Sequence, residues 1–108
     1  MIAEAHAHNI RILGATLAPF EDTFKGVNPP LDYYYNPDKE KTRQAVNQWI
    51  REGKEFDGVI DFDALLRDPA RPSHIQAAFD SGDHLHPGDG GCKAMADSID
   101  LRLLTEKR

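Results

Sequence analysis

The sequence is poor in cysteine, in long apolar stretches and in clustered positive charge, and each shortage excludes a class of protein. A single cysteine, Cys92, excludes an internal disulfide framework. No apolar run approaches the roughly 20 residues that span a bilayer. The formal net charge of −5, with no basic cluster, provides no electrostatic surface for nucleic acid or an anionic membrane. What remains is a chain of 108 residues with ordinary α/β composition, enough for one small domain.

The N-terminal residues contain an early glutamate and no long apolar segment, so they are not typical of a signal peptide, and the compartment stays open. Their alanine content predicts the end of a helix, with Asn9 as the left-handed residue that follows it. His6 and His8 are two residues apart and would point away from each other on that helix. We therefore expect surface side chains rather than a metal-binding pair.

Two short apolar segments, residues 10–17 and 56–62, predict strands of a parallel sheet, the first buried on both faces and stopped by Pro19. Between them, Asn36 is a capping residue, Pro37 suits the first helical position and Gly53 suits the end of a helix. Three- and four-residue spacing predicts one buried face on this helix, formed by Thr42, Ala45, Val46, Trp49 and Ile50.

The connecting segments are long. In the loop over residues 20–35, the three tyrosines Tyr33, Tyr34 and Tyr35 either line an acyl or sugar pocket or, as we prefer, pack against the helix that carries Trp49. Residues 63–82 are predicted to be mainly loop, with a short helical turn at 64–67. Asp61 and Asp63 are expected to bond to nearby loop backbone.

Pro87 is predicted to open the last helix, and the Gly90-Gly91 pair allows close backbone approach at its start. Its apolar stripe, in which Cys92 is expected to be a buried small hydrophobe, consists of Cys92, Met95, Ala96, Ile99 and Leu103.

The predicted order is helix, strand, helix, strand, helix, which makes an α/β fold with one β-α-β crossover between parallel strands. Two parallel strands do not form a self-sufficient sheet, because such strands need neighbours and helices on both faces. The sequence therefore indicates a piece of a larger α/β domain.

The segment over residues 80–91 gathers acids, histidines and glycines before the last helix. A histidine that acts as general base needs a carboxylate on Nδ1 to fix its tautomer, and Asp83 is three residues before His86. The bare Asp-x-x-His pattern is not specific, because a hydrogen-bonded surface turn with a helix cap has the same sequence. A metal cluster of His84 and His86 with Asp80 or Asp83 is a further alternative, ranked last because no third well-spaced ligand accompanies it.

Four segments carry a resemblance to the SGNH/GDSL family of esterases and acylhydrolases. They are Arg11-Ile-Leu-Gly-Ala-Thr-Leu-Ala-Pro-Phe20, Arg43-Gln-Ala-Val-Asn-Gln-Trp-Ile50, Phe56-Asp-Gly-Val-Ile-Asp-Phe-Asp63 and Asp80-Ser-Gly-Asp-His-Leu-His-Pro87. The resemblance covers nearly the whole chain as the C-terminal segment of the domain, and implies part of a three-layer flavodoxin-like fold. It also implies that Asp83 and His86 complete a Ser-Asp-His triad. His84, Leu85 and Pro87 are candidates for lining the substrate cleft.

The family's Gly-Asp-Ser block and its oxyanion-hole glycine and asparagine have no counterpart here. We therefore expect the isolated chain to be inactive and to need the missing N-terminal half of the domain as its partner. Met1 would then be an internal methionine of a longer protein. We expect no metal or other cofactor. The resemblance implies a carboxylic ester as substrate, such as an acetylated carbohydrate or a short acyl or aryl ester. Full-length proteins of this family are often secreted. The alternative is a non-catalytic α/β module that associates through an open sheet edge.

Overall fold

The computed structural model describes residues 1–27, 31 and 33–107. Five helices and four short strands follow one another in this part of the chain. In order they are α1 (Ile2–Ala7), β1 (Leu13–Ala15), α2 (Pro37–Glu52), β2 (Gly58–Ile60), α3 (Phe62–Leu66), β3 (Arg67–Asp68), β4 (Arg71–Ile75), α4 (Asp89–Ser98) and α5 (Arg102–Thr105). The predicted succession of helix, strand, helix, strand and helix is present, with α3, a β-hairpin and α5 in addition.

The two predicted strands pair in parallel, with Leu13 opposite Gly58 and Ala15 opposite Ile60, as expected for a β-α-β unit. Each strand has three residues, shorter than predicted. The prediction that β1 is buried on both faces is wrong, because Ala15 is exposed and Leu17 just beyond it is half-exposed. Within the described part of the chain β1 pairs only with β2, which leaves its other edge without a neighbour.

The bounds of α2 agree with the sequence signals. Asn36 accepts a hydrogen bond from the Lys39 N–H at 2.9 Å, Pro37 opens the helix and Gly53 closes it. The predicted buried face is wrong except for Ile50, because Thr42, Ala45 and Trp49 are exposed and Val46 is partly exposed. The buried side chains are Arg43, Asn47 and Ile50.

A polar core explains why α2 turns this face inward. The Asn47 side-chain amide donates to the Leu17 carbonyl at 2.9 Å and its oxygen accepts from the Leu17 N–H at 2.7 Å. Arg43 also donates to the Leu17 carbonyl, and at 2.6 Å to the fully buried Asp63. Satisfying these buried polar groups ties α2 to the end of β1.

We expected Asp61 and Asp63 to bond to nearby loop backbone, but Asp61 bonds to backbone of α3 and the Asp63 carboxylate bonds to side chains. Asp61 accepts from the Ala64 N–H and caps α3. The Asp63 carboxylate instead accepts hydrogen bonds from three arginines, which are Arg43, Arg51 and Arg67. The sequence pattern did not foresee this ion-pair cluster.

The segment over residues 63–82 contains more regular structure than predicted. The expected helical turn is α3, but β3 and β4 then form an antiparallel hairpin with Arg67 opposite Ile75. Paired backbone replaces the predicted loop because the Gln76 side chain and N–H also bond back to carbonyls of residues 65–67.

The last predicted helix is divided, since α4 ends at Ser98 and Ile99 takes an extended conformation. The prediction that Cys92 is buried is wrong, because Cys92 is exposed and Gly91 faces the protein instead. The expected close backbone approach occurs here. A Cβ added at Gly91 would lie 2.5 Å from the Phe79 carbonyl oxygen.

At the N-terminus, α1 and the left-handed Asn9 are as predicted. His8 is exposed, but His6 is partly buried and its Nε2 lies 2.9 Å from an Asp57 carboxylate oxygen. Among the described residues, no cluster of three or more His, Cys, Asp or Glu side chains is arranged to hold a metal ion. No described helix combines the length and apolar character needed to cross a membrane.

Candidate active site

The loop over residues 80–87 is closed on itself at its base. Asp80 and Pro87 form an antiparallel bridge, and the Ser81 N–H donates to the His86 carbonyl at 3.0 Å. Inside the loop, Gly82 and His84 both have positive φ, at 107° and 62°. Left-handed backbone is easy for glycine and costly for histidine, so other contacts must hold the conformation of His84.

Asp83 and His86 are brought together within this loop. Nδ1 of His86 lies 2.6 Å from Oδ2 of Asp83. Oδ1 of Asp83 accepts hydrogen bonds from the backbone N–H of Leu85 and of His86, both at 2.8 Å. The carboxylate therefore fixes the local backbone and the ring at once, as the three-residue spacing predicts.

The electrostatics keep Asp83 ionised. Burial raises the pKa of Asp83, but hydrogen bonds from the His86 ring, the backbone N–H groups of His86 and Leu85, and the Ser81 side chain lower it. Because these bonds outweigh burial, the pKa lies well below the ordinary value for an aspartate. A negative charge thus faces the imidazole throughout the neutral range.

The imidazole of His86 is two-thirds exposed, so it can reach a group outside the loop. With Nδ1 donating to Asp83, Nε2 is the nitrogen left to accept a proton, which is the arrangement of a general base. The three serines of the chain have partners other than Nε2 of His86. Ser73 donates to Glu21, Ser98 donates to the Met95 carbonyl, and Ser81 bonds to Asp83.

A cavity of about 800 Å³ lies beside the loop. Leu85 lines it together with the residues just after β1, with Phe20 and Tyr34, and with residues of the first turns of α2. Its described lining is Leu17, Ala18, Phe20, Tyr34, Asn36, Asp38, Lys39, Thr42, Arg43, Val46 and Leu85. The loop thus lies on the C-terminal side of β1, where open α/β sheets place their ligands.

Of the three cleft candidates, Leu85 lines this cavity, and His84 and Pro87 do not. Tyr34 lies against α2, as preferred for the tyrosines, with Lys39 Nζ 5.6 Å from its ring centre, and it also lines this cavity. Tyr34 and Tyr35 additionally make edge-to-face contacts with Phe20. Tyr33 is exposed.

The comparisons with known proteins bear on this geometry. Residues 1–99 match the family model for the GDSL-like lipase/acylhydrolase, which is nearly the whole chain. The chain belongs to the GDSL-like lipase/acylhydrolase family. No curated protein matches the chain.

Membership in the GDSL-like family supports an esterase or lipase type of activity on ester substrates, and an SGNH-type α/β fold. The observed helices and short parallel strands agree with that fold class.

Two features of the candidate site were missed by the sequence analysis. The Thr23 hydroxyl donates to the His84 carbonyl at 3.0 Å and the Phe24 N–H donates to the Asp83 carbonyl at 3.1 Å. These bonds span about 60 positions, and no local pattern predicts them. The second feature is the pairing of Asp80 with the His84 ring; the Asp-x-Gly spacing signals only the turn in which the Gly82 N–H donates to Asp80.

Proposed function

We propose that this chain is the C-terminal segment of a serine ester hydrolase and that Asp83 and His86 are two members of its Ser-Asp-His triad. The observation that carries the proposal is the 2.6 Å contact between Nδ1 of His86 and the Asp83 carboxylate in a family of acylhydrolases. The serine and the oxyanion-hole donors would come from the family's N-terminal blocks. The three-layer arrangement of the whole domain belongs to the same proposal.

In the assembled enzyme, Nε2 of His86 accepts the proton of the serine hydroxyl as the serine oxygen attacks the ester carbonyl. The same nitrogen then gives that proton to the leaving alcohol, and the cycle repeats with water for the acyl-enzyme. Asp83 holds the ring and stabilises the imidazolium in each half-reaction.

The cavity beside Leu85 supports an ester with an apolar group, such as a short acyl chain or an aryl ring. Leu17, Phe20, Val46 and Leu85 provide apolar walls, and its volume falls in the range of small-molecule sites. An acetylated carbohydrate is the other candidate, because Asn36, Asp38 and Lys39 add polar groups to the lining.

The first test is the hydrolysis of p-nitrophenyl acetate by the purified chain. We expect no turnover above background, because a base without a nucleophile or oxyanion donors has nothing to activate. Turnover that disappears in His86→Ala would contradict the assignment of the serine to another segment.

The second test adds a separately expressed polypeptide that carries the Gly-Asp-Ser block and the N-terminal strands of a family member. We expect hydrolysis to appear, and His86→Ala to lower it by about 10²–10⁴-fold, the usual contribution of a general base. His8→Ala, a change at an exposed histidine of α1, is the matched control and should keep full activity. Equal activity of the two variants would refute a catalytic role for His86.

A second candidate function is a non-catalytic module that associates through its sheet edge. It is favoured by the exposed Ile10 and Leu17, which flank the short strand β1. In the described residues β1 and β2 pair only with each other, so backbone groups on their outer edges are available for another strand.

A further inference from the structure

A second carboxylate–imidazole pair lies in the same loop as Asp83 and His86. Nδ1 of His84 lies 2.5 Å from Oδ2 of Asp80, and the Asp80 side chain is only 8% exposed. The other oxygen, Oδ1, accepts hydrogen bonds from the backbone N–H of Gly82 at 2.9 Å and of His84 at 3.0 Å. One side chain therefore holds three donors from the four residues that follow it.

The two backbone donors flank Asp83 on either side. Asp80 fixes the backbone at Gly82 and His84, and Asp83 then fixes the backbone at Leu85 and His86. The direction of the Asp83 side chain depends on the peptide units before and after it. Oδ1 of Asp80 holds the unit after Asp83 through the His84 N–H, and it holds the Ser81–Gly82 unit, one unit further back, through the Gly82 N–H.

The conformation that Asp80 holds is one that the chain resists on its own. His84 has φ of 62°, a region that non-glycine residues seldom adopt. Such a conformation persists only where surrounding contacts over-determine it. Asp80 supplies two contacts to His84, through the backbone N–H and the ring, while Thr23 supplies a third at the carbonyl.

We propose that Asp80 is a positioning residue for the Asp83–His86 pair, acting through Oδ1 on the backbone at both sides of Asp83. His84 is its side-chain partner, which occupies Oδ2 and leaves Oδ1 directed at the loop backbone. The relevance to catalysis rests on the proposed function, but the geometric effect can be measured in the chain itself.

The experiment uses the full chain labelled with ¹⁵N and follows the ring nitrogens of His86 by NMR at neutral pH. These nitrogens report whether Nδ1 or Nε2 carries the proton. We expect the Nδ1–H form of His86 in the wild type and its loss in Asp80→Ala. Asp80→Asn keeps an oxygen acceptor for the two N–H groups, so His86 should retain its Nδ1–H form while His84 loses its own preference.

Asp68→Ala is the matched control, because Asp68 also accepts a backbone N–H two residues ahead, from Ala70, but lies at the end of β3, outside the loop over residues 80–87. It should leave His86 unchanged. The amide resonances of β1, β2 and α2 verify that each variant is folded. If Asp80→Ala does not fold, Asp80→Glu replaces it, because the longer side chain keeps the charge but displaces Oδ1, and the Nδ1–H form should again be lost.

An unchanged His86 in a folded Asp80→Ala variant, or equal loss in Asp80→Ala and Asp80→Asn, would overturn the proposal. The hydrolysis assay with the added Gly-Asp-Ser polypeptide, comparing the wild type with His86→Ala, tests the proposed function separately. Asp80 can fail as a positioning residue while His86 proves catalytic, and the reverse result is equally visible.

Discussion

At the scale of single residues, the buried Asp63 carboxylate is the group whose loss should cost most. It accepts hydrogen bonds from Arg43, Arg51 and Arg67, and Arg43 is itself almost fully buried. Asp63→Ala leaves a buried guanidinium short of a partner, so we expect the free energy of unfolding to fall by about 3–5 kcal/mol. Urea denaturation followed by circular dichroism measures it.

Asp97→Ala is the control for that change, because Asp97 is an exposed residue on α4 that pairs only with Lys93 in the described structure. Its effect should stay within about 0.5 kcal/mol. Similar midpoints for the two variants would show that the ion-pair cluster adds little to stability.

The contrast between Asp83 and Asp63 shows which residue contacts a sequence can predict. Asp83 reaches His86 through one local turn, so spacing and the chemistry of a base suffice. Asp63 meets arginines up to 20 positions away on α2, and that meeting depends on how α2 lies across the strand ends. Local patterns contain no information about that placement.

At the scale of secondary-structure elements, Asp61 couples α2 and α3. Hydrogen bonds from Arg51 lower the pKa of Asp61, and although burial raises it, the bonds from Arg51, from the Ala64 N–H and from Thr16 hold it well below the ordinary value. A carboxyl whose pKa is depressed by folding stabilises the folded state above its unfolded pKa of about 3.9. That stabilisation is lost as the pH falls towards the folded pKa.

We therefore expect the free energy of unfolding to decrease between about pH 5 and pH 3, and Arg51→Met to flatten this dependence. Urea titrations across that range provide the measurement. Lys41→Met, which removes a cation 3.9 Å from the exposed Asp38, should leave the slope unchanged. A slope in Arg51→Met equal to that of the wild type would mean that Asp61 does not carry the effect.

The close approach of α4 to the backbone of Phe79, just before the loop over residues 80–87, gives a second prediction at this scale. Gly91→Ala places a Cβ 2.5 Å from the Phe79 carbonyl, and backbone cannot yield as a flexible side chain can. We expect a loss of about 1–3 kcal/mol from overpacking, although alanine favours helix by about 1 kcal/mol. In Gly90→Ala, the control, the atom nearest to the new Cβ is 3.0 Å away, so thermal unfolding should show a smaller loss of stability. A Gly91→Ala variant more stable than the wild type would contradict the packing argument.

The ends of α2 were predictable and its buried face was not, for one physical reason. The start of α2 depends on Asn36 and Pro37, whose effects are local. The buried face depends on what lies opposite, and the apolar spacing assumed an apolar cover. The side chains that turn inward are Arg43 and Asn47, because polar groups at the end of β1 lie there.

At the scale of the whole molecule, the described chain has a smaller apolar core than its length would allow. Its buried Leu and Ile side chains are Leu66, Ile50 and Ile75. The radius of gyration is 15.7 Å, against about 13 Å for a compact domain of this length. The parallel pairing of β1 and β2 was predictable from their order, whereas the β3–β4 hairpin was not, because Arg71-Pro72-Ser73-His74-Ile75 lacks apolar alternation.

Such a molecule should bury its exposed apolar surface by association. Among the residues that the structure describes, the outer edges of β1 and β2 have no strand neighbour, and Ile10 and Leu17 lie exposed before and after β1. We expect the sedimentation coefficient of the chain to rise with concentration. A lysine on an edge strand opposes strand pairing, so Ala15→Lys should weaken this dependence. Ala45→Lys makes the same change on the exposed face of α2 and should not. If both lysines act equally, net charge rather than the strand edge governs association, and if the wild type stays monomeric at all concentrations, the open edge is not a docking surface for a second copy.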